Sequence, residues 1–514
     1  MSTKLCLTLT APTIRQNLEI VERYRKFIDI AELRADYLDT SEYPYIRVFP
    51  EMAGLPCILT VRRQTDGGNF AGGESARTVL FARGLAFADT DPRKNFSYVD
   101  LEQDFQISSI EEVVRGFGIK IIRSLHNMDG VETNLAATIR QMRRGKDEIA
   151  KIAFMAKHLS DVTRLFRETK ACRDEEYTLI AMGPFGLPSR ILAPLLGSCI
   201  AYCSVPDNDP TLTGTRRPNV IGQIDPVTLN EIYNFRMLEP DTEIFGITGY
   251  PMEATSSPEI HNRGYAAHKR NAVYIPVRSE TIEEALEFAG ELGIRGLSVT
   301  HPFKEKVLPE LAEISAETAE IGACNTILRR SDGWAGYNTD ISGFTRAILE
   351  FTGEKDLRHK NVAIIGAGGA AKAIALAVRR LRGKACVFNR TEKKAKDLAH
   401  LHHFKWAPLE RASLPLLKKY SDLIIQTTNV GMVPDTGKDP LDFYSFTGHE
   451  AVYDIIYAPW KTKLLQRAEA AGCRICNGFT MLRDQAYDQY QLFTGEPYDR
   501  EPGRREKAGG VLRN

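Results

Sequence analysis

Residues 361–394 read NVAIIGAGGAAKAIALAVRRLRGKACVFNRTEKK. Val362 to Ile365 is a continuous apolar run, the pattern of a strand buried on both faces. Gly366, Ala367, Gly368, Gly369, Ala370 and Ala371 follow. Gly366 permits a sharp turn, Gly368 a close backbone approach to a pyrophosphate, and Ala371 a close packing of helix on strand. The helix that begins here points its free N–H groups and positive dipole end at phosphate. Ile374, Ala377, Val378 and Leu381 share one face of it. Arg379, Arg380 and Arg382 suit its negative end, and Gly383 is the expected stop. A second strand, Lys384 to Phe388, ends in Asn389-Arg390-Thr391. A dinucleotide fold that prefers NAD usually carries Asp or Glu at this point, for the ribose 2′-hydroxyl. Here Arg390 and Lys394 offer positive charge to a 2′-phosphate, so the expected cofactor is NADP(H).

The chain has 514 residues, room for about three ordinary domains, or fewer if one is a barrel. Its 43% hydrophobic and 26% charged residues are those of a globular protein. A net charge of +1 provides no field for nucleic acid or an anionic membrane, and neither partner is expected. No apolar run reaches the ~18 residues of a membrane span. The N-terminus, MSTKLCLTLT, reads as a strand and lacks the regions of a signal peptide. Nine cysteines are scattered without framework spacing, Cys57, Cys199, Cys203 and Cys386 among them in apolar runs. They read as small core residues in a reducing compartment, the cytoplasm. Cys473-Arg-Ile-Cys476 has no second pair and reads as core rather than metal site, and no metal is expected.

From the N-terminus to about residue 225, apolar runs alternate with amphipathic helical patterns. The expected strands are Lys4–Thr10, Ile28–Arg34, Cys57–Arg62, Phe96–Leu101, Lys120–Ser124, Ile149–Met155, Tyr177–Met182 and Cys199–Ser204. The expected helices include Ile14–Tyr24, Glu74–Phe87, Leu135–Gly145, Ser160–Thr169, Pro188–Leu196 and a last one over Asp225–Glu239. Eight strands with helical crossovers predict a (β/α)8 TIM barrel, whose chemistry lies at the carboxyl ends of the strands. Polar residues gather at those ends: Glu32, Arg34 and Asp36; Arg62 and Asp66; Ser124 and His126; Ser189 and Arg190; and Gln223 in the last loop. Lys151 lies within the sixth run, Ile149-Ala-Lys151-Ile-Ala. An ammonium there is costly unless used or paired. Desolvation and the cations Arg34, Arg62 and Arg190 are expected to free the amine for Schiff-base chemistry, with His126 as base. The competing reading is a lysine salt-bridged to Glu32.

These residues resemble type I 3-dehydroquinate dehydratase over residues 4–230. The resemblance rests on Glu32-x-Arg34-x-Asp36, Arg62 with Asp66-Gly-Gly, Ser124-x-His126, Lys151-Ile-Ala, Ser189-Arg190 and Gly222-Gln223. It implies a Schiff base from Lys151 to 3-dehydroquinate, with His126 as base and later acid. It gives Glu32 the orientation of imine and histidine, and Asp66, where the family usually has Glu, the support of the histidine. Arg34, Arg62, Arg190 and Gln223 are implied to hold substrate. The segment Asp207 to Pro218 is longer and more polar than the family's lid.

After the joint Pro240-Asp-Thr comes a second set: Gly246-Ile-Thr-Gly249-Tyr-Pro251, Thr255-Ser-Ser257-Pro258, Ser298-Val-Thr300-His-Pro302-Phe303-Lys304, Gly322-Ala-Cys-Asn325-Thr326 and Asn338-Thr-Asp340. Hydroxyls at 255 and 257 suit a carboxylate, although Ser257 also suits a helix N-cap. A lysine beside a carboxylate, Lys304 with Asp340, suits proton delivery to a ketone that receives hydride. Over residues 243–490 these segments, with the cofactor turn, Tyr457 and Gly478 to Gln485, resemble shikimate dehydrogenase. The resemblance gives Lys304 and Asp340 to catalysis, and Thr255, Ser257, Thr300, Asn325, Tyr457 and Gln485 to substrate. It places Thr428 and Gly478 beside the cofactor with the glycine turn and Asn389-Arg390-Thr391. The implied architecture is a barrel over 1–239, an α/β substrate lobe over 243–345, an NADP-binding Rossmann lobe over 346–475, and a helix over 476–494 returning to the substrate lobe. The tail from Gly495 is expected to be disordered. The expected substrates are small molecules, 3-dehydroquinate, 3-dehydroshikimate and shikimate; oligomeric state is left open. An NAD-dependent quinate/shikimate dehydrogenase and a non-catalytic quinate-sensing repressor are the rivals. Arg390 and Lys394 speak against the first, and intact Lys151, His126, Lys304 and Asp340 against the second.

Overall fold

The computed structural model describes residues 2–86, 89–131, 134–172, 175–206, 209, 222–252 and 255–499. Each apolar run of the first half becomes a strand: β1 (Lys4–Leu9), β2 (Ile30–Arg34), β3 (Cys57–Thr60), β4 (Tyr98–Glu102), β5 (Lys120–Asn127), β6 (Glu148–Met155), β7 (Tyr177–Met182) and β8 (Ile200–Ser204). They form one sheet in the order β7-β6-β5-β4-β3-β2-β1-β8. Neighbours pair in parallel, from β1 with β8 and β2 round to β6 with β7. At the remaining seam Cys199 N donates to Tyr177 O at 2.7 Å, so the barrel is nearly closed. Its interior is filled, one side chain per strand, by Cys6, Ile30, Ile58, Tyr98, Ile122, Ile149, Ile180 and Ile200. This packed layer is a floor below the carboxyl ends of the strands.

Two expected helices break. Pro188–Leu196 divides into Leu187–Ile191 and Ala193–Leu196, because Pro194 has no N–H to continue the first helix. The helix expected over Asp225–Glu239 is capped by Asp225 but ends at Glu231. Asn234 then takes a left-handed φ of 49° before a short 3₁₀ turn, Phe235–Met237.

Contacts divide the chain into two units, 1–248 with 271–294, and 249–270 with everything from 295 onward. In the first unit β9 (Glu243–Gly249) and β10 (Ala272–Arg278) follow the barrel. The helix Ile282–Leu292 packs on the barrel helix Leu159–Thr169, where Phe166 and Phe288 meet edge to face at 6.0 Å.

In the second unit β11 (Gly296–Val299), β13 (Thr326–Arg330), β14 (Gly333–Tyr337) and β12 (Glu313–Ile314) lie side by side in that order. A further sheet is built from β15 (Asn361–Ile365), β16 (Lys384–Asn389), β17 (Lys405–Pro408), β18 (Leu423–Gln426), β19 (Ala451–Asp454) and β20 (Arg474–Cys476). Its order is β17-β16-β15-β18-β19-β20, all parallel. β15 is buried on both faces: Val362 and Ile364 pack with Ile374 and Val378, Ala363 and Ile365 with Leu417 and Leu464. The order reverses between β15 and β18, which opens a crevice at their carboxyl ends.

The last helix, Phe479–Thr494, returns from β20 to lie on the helix Asp340–Thr352. A Cβ at Gly343 would stand 2.9 Å from Gln485 Cβ and N, so only glycine permits this crossing. Of the tail expected to be disordered, the described residues 495–499 are packed. Tyr498 stacks on Tyr487 at 4.2 Å and its hydroxyl donates to Ile260 O at 3.0 Å. Residues 500–514 and most of the Asp207–Pro218 segment lie outside the described residues. No described helix is long and apolar enough to cross a membrane.

Candidate active sites

Period-two alternation turns Glu32, Asp100 and Lys151 into the barrel above its apolar floor. Lys151 is 5% exposed. Its Nζ donates to Asp100 Oδ2 at 3.0 Å and lies 3.7 Å from Glu32 Oε1. Its nearest charges are therefore carboxylates and not the expected arginines. Those arginines are engaged elsewhere: Arg34 is bidentate on Asp36 at 2.9 and 2.7 Å, and Arg62 spans Asp100 at 2.8 Å and Glu102 at 2.9 Å. Glu32 accepts from Thr8 at 2.8 Å and Thr60 at 2.9 Å. Asp100 also accepts from Ser124 at 2.5 Å. Burial works against this carboxylate, but Arg62 and Lys151 outweigh it and hold Asp100 well below the usual carboxylate range.

His126 stands two residues beyond the Ser124↔Lys151 pair, ~6.6 Å further toward the carboxyl ends. Burial, with Arg62 and Lys151 beside it, pulls its imidazole well below the usual value, so the ring is a neutral base. Asp66 does not support it as expected: the carboxylate accepts from Arg63 at 2.7 Å and Thr65 at 3.0 Å, within its own turn. Arg190 is buried with Nη1 on Tyr202 O at 3.3 Å, and burial pulls it down to about 10. Gln223 is half-buried. Arg62 Nη2 is held by Asp100; among the described residues of the barrel, the other buried side-chain polar atoms lacking a hydrogen bond are His126 Nδ1, Arg190 Nε and Tyr202 Oη. All three belong to this one end of the barrel, where a polar ligand would satisfy them.

In the second unit Lys304 Nζ donates to Asp340 Oδ2 at 2.5 Å. Asp340 is buried at the start of its helix, and Lys304 is mostly covered. Asn325 ties them to the last helix: its amide donates to Asp340 at 2.9 Å, Thr339 at 3.0 Å and Gln485 at 3.0 Å. Thr255 Oγ1 donates to Ser257 Oγ at 3.1 Å, and the Tyr457 hydroxyl joins Thr255. Three hydroxyls so gathered suit a carboxylate. Ser257 makes no helix cap; the helix starts at Ser257 itself, one residue early for that role. Thr300 is half-buried beside Gly249, and Ser298 faces away, onto Gln489 at 2.9 Å.

Gly366 has φ +115°, and a Cβ there would meet Thr427 Oγ1 at 2.5 Å. Gly368 caps the helix Gly369–Arg380, and a Cβ there would meet nothing within 4 Å, so this side of the turn is open to a ligand. A Cβ at Gly369 would stand 3.2 Å from Lys304 Cβ, which puts the glycine turn beside the catalytic candidates. Ala367 and Ala370 complete the turn, and Thr428, held by Gln426 at 2.6 Å, borders the crevice from β18. Gly478 precedes the last helix with its N–H on Ile456 O at 3.1 Å. Arg390 and Lys394 are exposed just past β16, and Asn389 is fastened to Thr391 O at 3.0 Å. The cradle and the exposed cations fit NADP(H). Gly383 is not the helix stop: the helix ends at Arg380 and Arg382 takes the left-handed turn at φ 64°.

Family models match three stretches of the chain: type I 3-dehydroquinase over 5–240, shikimate dehydrogenase substrate binding domain over 247–327, and shikimate / quinate 5-dehydrogenase over 349–432. The chain is 30% identical to the chloroplastic bifunctional 3-dehydroquinate dehydratase/shikimate dehydrogenase of Arabidopsis thaliana over 97% of its own length and 83% of that protein's. The chain belongs to the bifunctional 3-dehydroquinate dehydratase/shikimate dehydrogenase family. Its second half is 36% identical to the shikimate dehydrogenase (NADP(+)) of Caldanaerobacter subterraneus, covering 51% of this chain and 96% of that one. A similar enzyme from Halothermothrix orenii is also 36% identical, over 50% of this chain and 93% of its own.

For this bifunctional family member the sequence reading passes over several residues of the sites. Asp100 and Glu102 carried a usable signal, two carboxylates inside the apolar run Tyr98–Glu102, the same anomaly that marks Lys151. Gln489, which joins Ser298 to Thr326 at 3.0 Å, carried none, because its partners are remote in sequence.

Proposed function

We propose that the barrel dehydrates 3-dehydroquinate to 3-dehydroshikimate and that the second module, with NADPH, reduces this product to shikimate. The observation that carries it is a buried lysine below a neutral histidine in the barrel, in one chain with a Lys304–Asp340 pair against a glycine turn. Glu32 takes a proton from Lys151, and the amine attacks the ketone carbon. Water leaves and a protonated imine forms. His126 takes a proton from the adjacent carbon, and that C–H pair becomes the double bond of a neutral enamine. The enamine returns its electrons, the β-hydroxyl leaves as water with the proton from His126, and hydrolysis frees the ketone and Lys151. Acid–base help of this kind contributes ~10²–10⁴ in rate. Arg190 Nε, with Arg34, Arg62 and Gln223, would hold the carboxylate and hydroxyls.

In the reductase, Thr255, Ser257 and Tyr457 would take the substrate carboxylate, and Asn325, Gln485 and Thr300 its hydroxyls. Gly366 to Ala370, Thr428 and Gly478 would hold the cofactor, and Asn389, Arg390, Thr391 and Lys394 its adenosine end. Bound NADPH supplies hydride to the ketone. Lys304, paired with Asp340, places a proton on the carbonyl oxygen. The reading assigns residues 1–239 to the first step and 243–494 to the second. With nine free cysteines it also includes a reducing compartment, the cytoplasm.

The test is dehydroquinate plus NADPH with the intact chain, Lys151→Ala and Lys304→Ala. The intact chain yields shikimate, Lys151→Ala yields nothing from dehydroquinate but still reduces dehydroshikimate, and Lys304→Ala stops at dehydroshikimate. A clear preference for NADH would defeat the roles of Arg390 and Lys394.

A further inference from the structure

We propose that Tyr202 is a further catalytic residue of the dehydratase: its ring face stabilises the cationic Lys151 nitrogen of the imine, and its hydroxyl bonds the substrate. The inference rests on the reading of Lys151 as the imine-forming amine. Tyr202 lies on β8, 7% exposed, and Lys151 Nζ stands 3.9 Å from its ring centroid. Its Oη is buried and has no hydrogen-bond partner among the described residues. Glu32, Asp100 and Arg62 are its charged surroundings, so it faces the site.

The plainer reading is a ring that fills the barrel, and Tyr202 does pack in the interior layer. A filler needs no hydroxyl. Phenylalanine would occupy the same space without stranding a polar group. The hydroxyl is instead one of the few partnerless buried polar atoms among the described residues of the barrel, with those of His126 and Arg190.

The ring has a separate use. A lysine ammonium has three N–H donors, and a protonated imine keeps only one. Lys151, bonded to Asp100 at 3.0 Å and 3.7 Å from Glu32, therefore keeps at most one donor for these carboxylates as the imine forms, while its positive charge remains. Attraction to an aromatic face needs no donor and survives this change. The charge sits on nitrogen before His126 removes the proton and again after the hydroxyl leaves. The ring thus stabilises both cations that flank the neutral enamine.

The experiment compares the full-length chain with Tyr202→Phe and Tyr202→Leu. Borohydride is added with saturating dehydroquinate, the fraction of Lys151 carrying the reduced adduct is read by mass spectrometry, and kcat and KM are measured beside it. Tyr202→Leu is expected to lower the trapped fraction and kcat on the order of tenfold or more. Tyr202→Phe keeps the ring; its trapped fraction is expected to stay within about twofold of wild type while KM rises several-fold. Because Tyr202→Phe preserves packing, its KM cannot rise through a collapsed barrel. A wild-type adduct with Tyr202→Leu trapped equally well overturns the proposal alone, as does Tyr202→Phe losing as much adduct as Tyr202→Leu. An unmodified Lys151 in the wild-type chain overturns the dehydratase reading and this proposal with it.

Discussion

Lys151 marks itself in the sequence because a charge sits among Ile149, Ala150, Ile152 and Ala153, all buried. Which charges surround it was not legible. Arg62 and Arg34 sit near the right strand ends, but each is neutralised by a carboxylate, Asp100 or Asp36, that the strand pattern alone does not direct to it. The amine is left between two anions. His126 shows the consequence of burial more directly. Its imidazole is held well below the ordinary ~6.5. A base with a lowered value stays neutral to lower pH and is lost only as pH falls through that value. The dehydratase kcat/KM is therefore expected to keep its acid limb well below pH ~6.5. A pH–rate profile whose histidine limb falls at or above that point contradicts the assignment.

Among elements, the helix Asp340–Thr352 holds Asp340 in place only because Gly343 lets the last helix approach. Gly343→Val puts side-chain atoms where Gln485 and Met481 O already stand, near 3 Å from a first Cβ. Such overpacking costs about 1–3 kcal/mol. Reductase kcat is expected to fall at least tenfold, about 1.4 kcal/mol in the barrier, with dehydratase kcat unchanged. Parallel assays on one preparation decide it; equal losses in both activities count against this account. A second element is the loop from β19 that carries Tyr457. Asp454 fastens it, accepting from Ile456 N at 3.0 Å and from Thr462 Oγ1 at 2.7 Å. Burial pushes this carboxyl up to about 7. Between the ordinary ~3.9 and that value the native chain keeps a proton that the unfolded chain has released. The group's contribution is complete below pH ~3.9 and is lost as pH rises through about 7. Asp454→Asn mimics the protonated form. Relative to wild type it is expected to gain on the order of 1–3 kcal/mol between about pH 5 and about pH 8, read from urea midpoints. A gap that does not change with pH refutes the linkage.

For the whole molecule, each site is complete within one compact unit: Lys151, His126 and Arg190 in the first, Lys304, Asp340 and the glycine turn in the second. A mixture of Lys151→Ala and Lys304→Ala chains is therefore expected to convert dehydroquinate to shikimate, after a lag while free dehydroshikimate accumulates. Product traces in time show it, and a mixture as inert as Lys151→Ala alone would mean the steps must share a chain. Strand count, the two glycine-turn strands and the motif lysines were open to sequence reading, because period-two runs and glycine turns are local patterns governed by backbone sterics and burial. The same chemistry of local pattern marked Arg390, Thr255 and Ser257. Tertiary structure alone decided that Asp66 turns to Arg63, that Asp100 is the hub beneath Lys151, that Gln489 and Asp454 brace the reductase, and that Tyr202 faces the amine. Those relations join residues tens to hundreds of positions apart, or choose among near neighbours, and such a choice depends on which charges and hydroxyls the nearly closed barrel and the parallel sheet bring within about 3–4 Å.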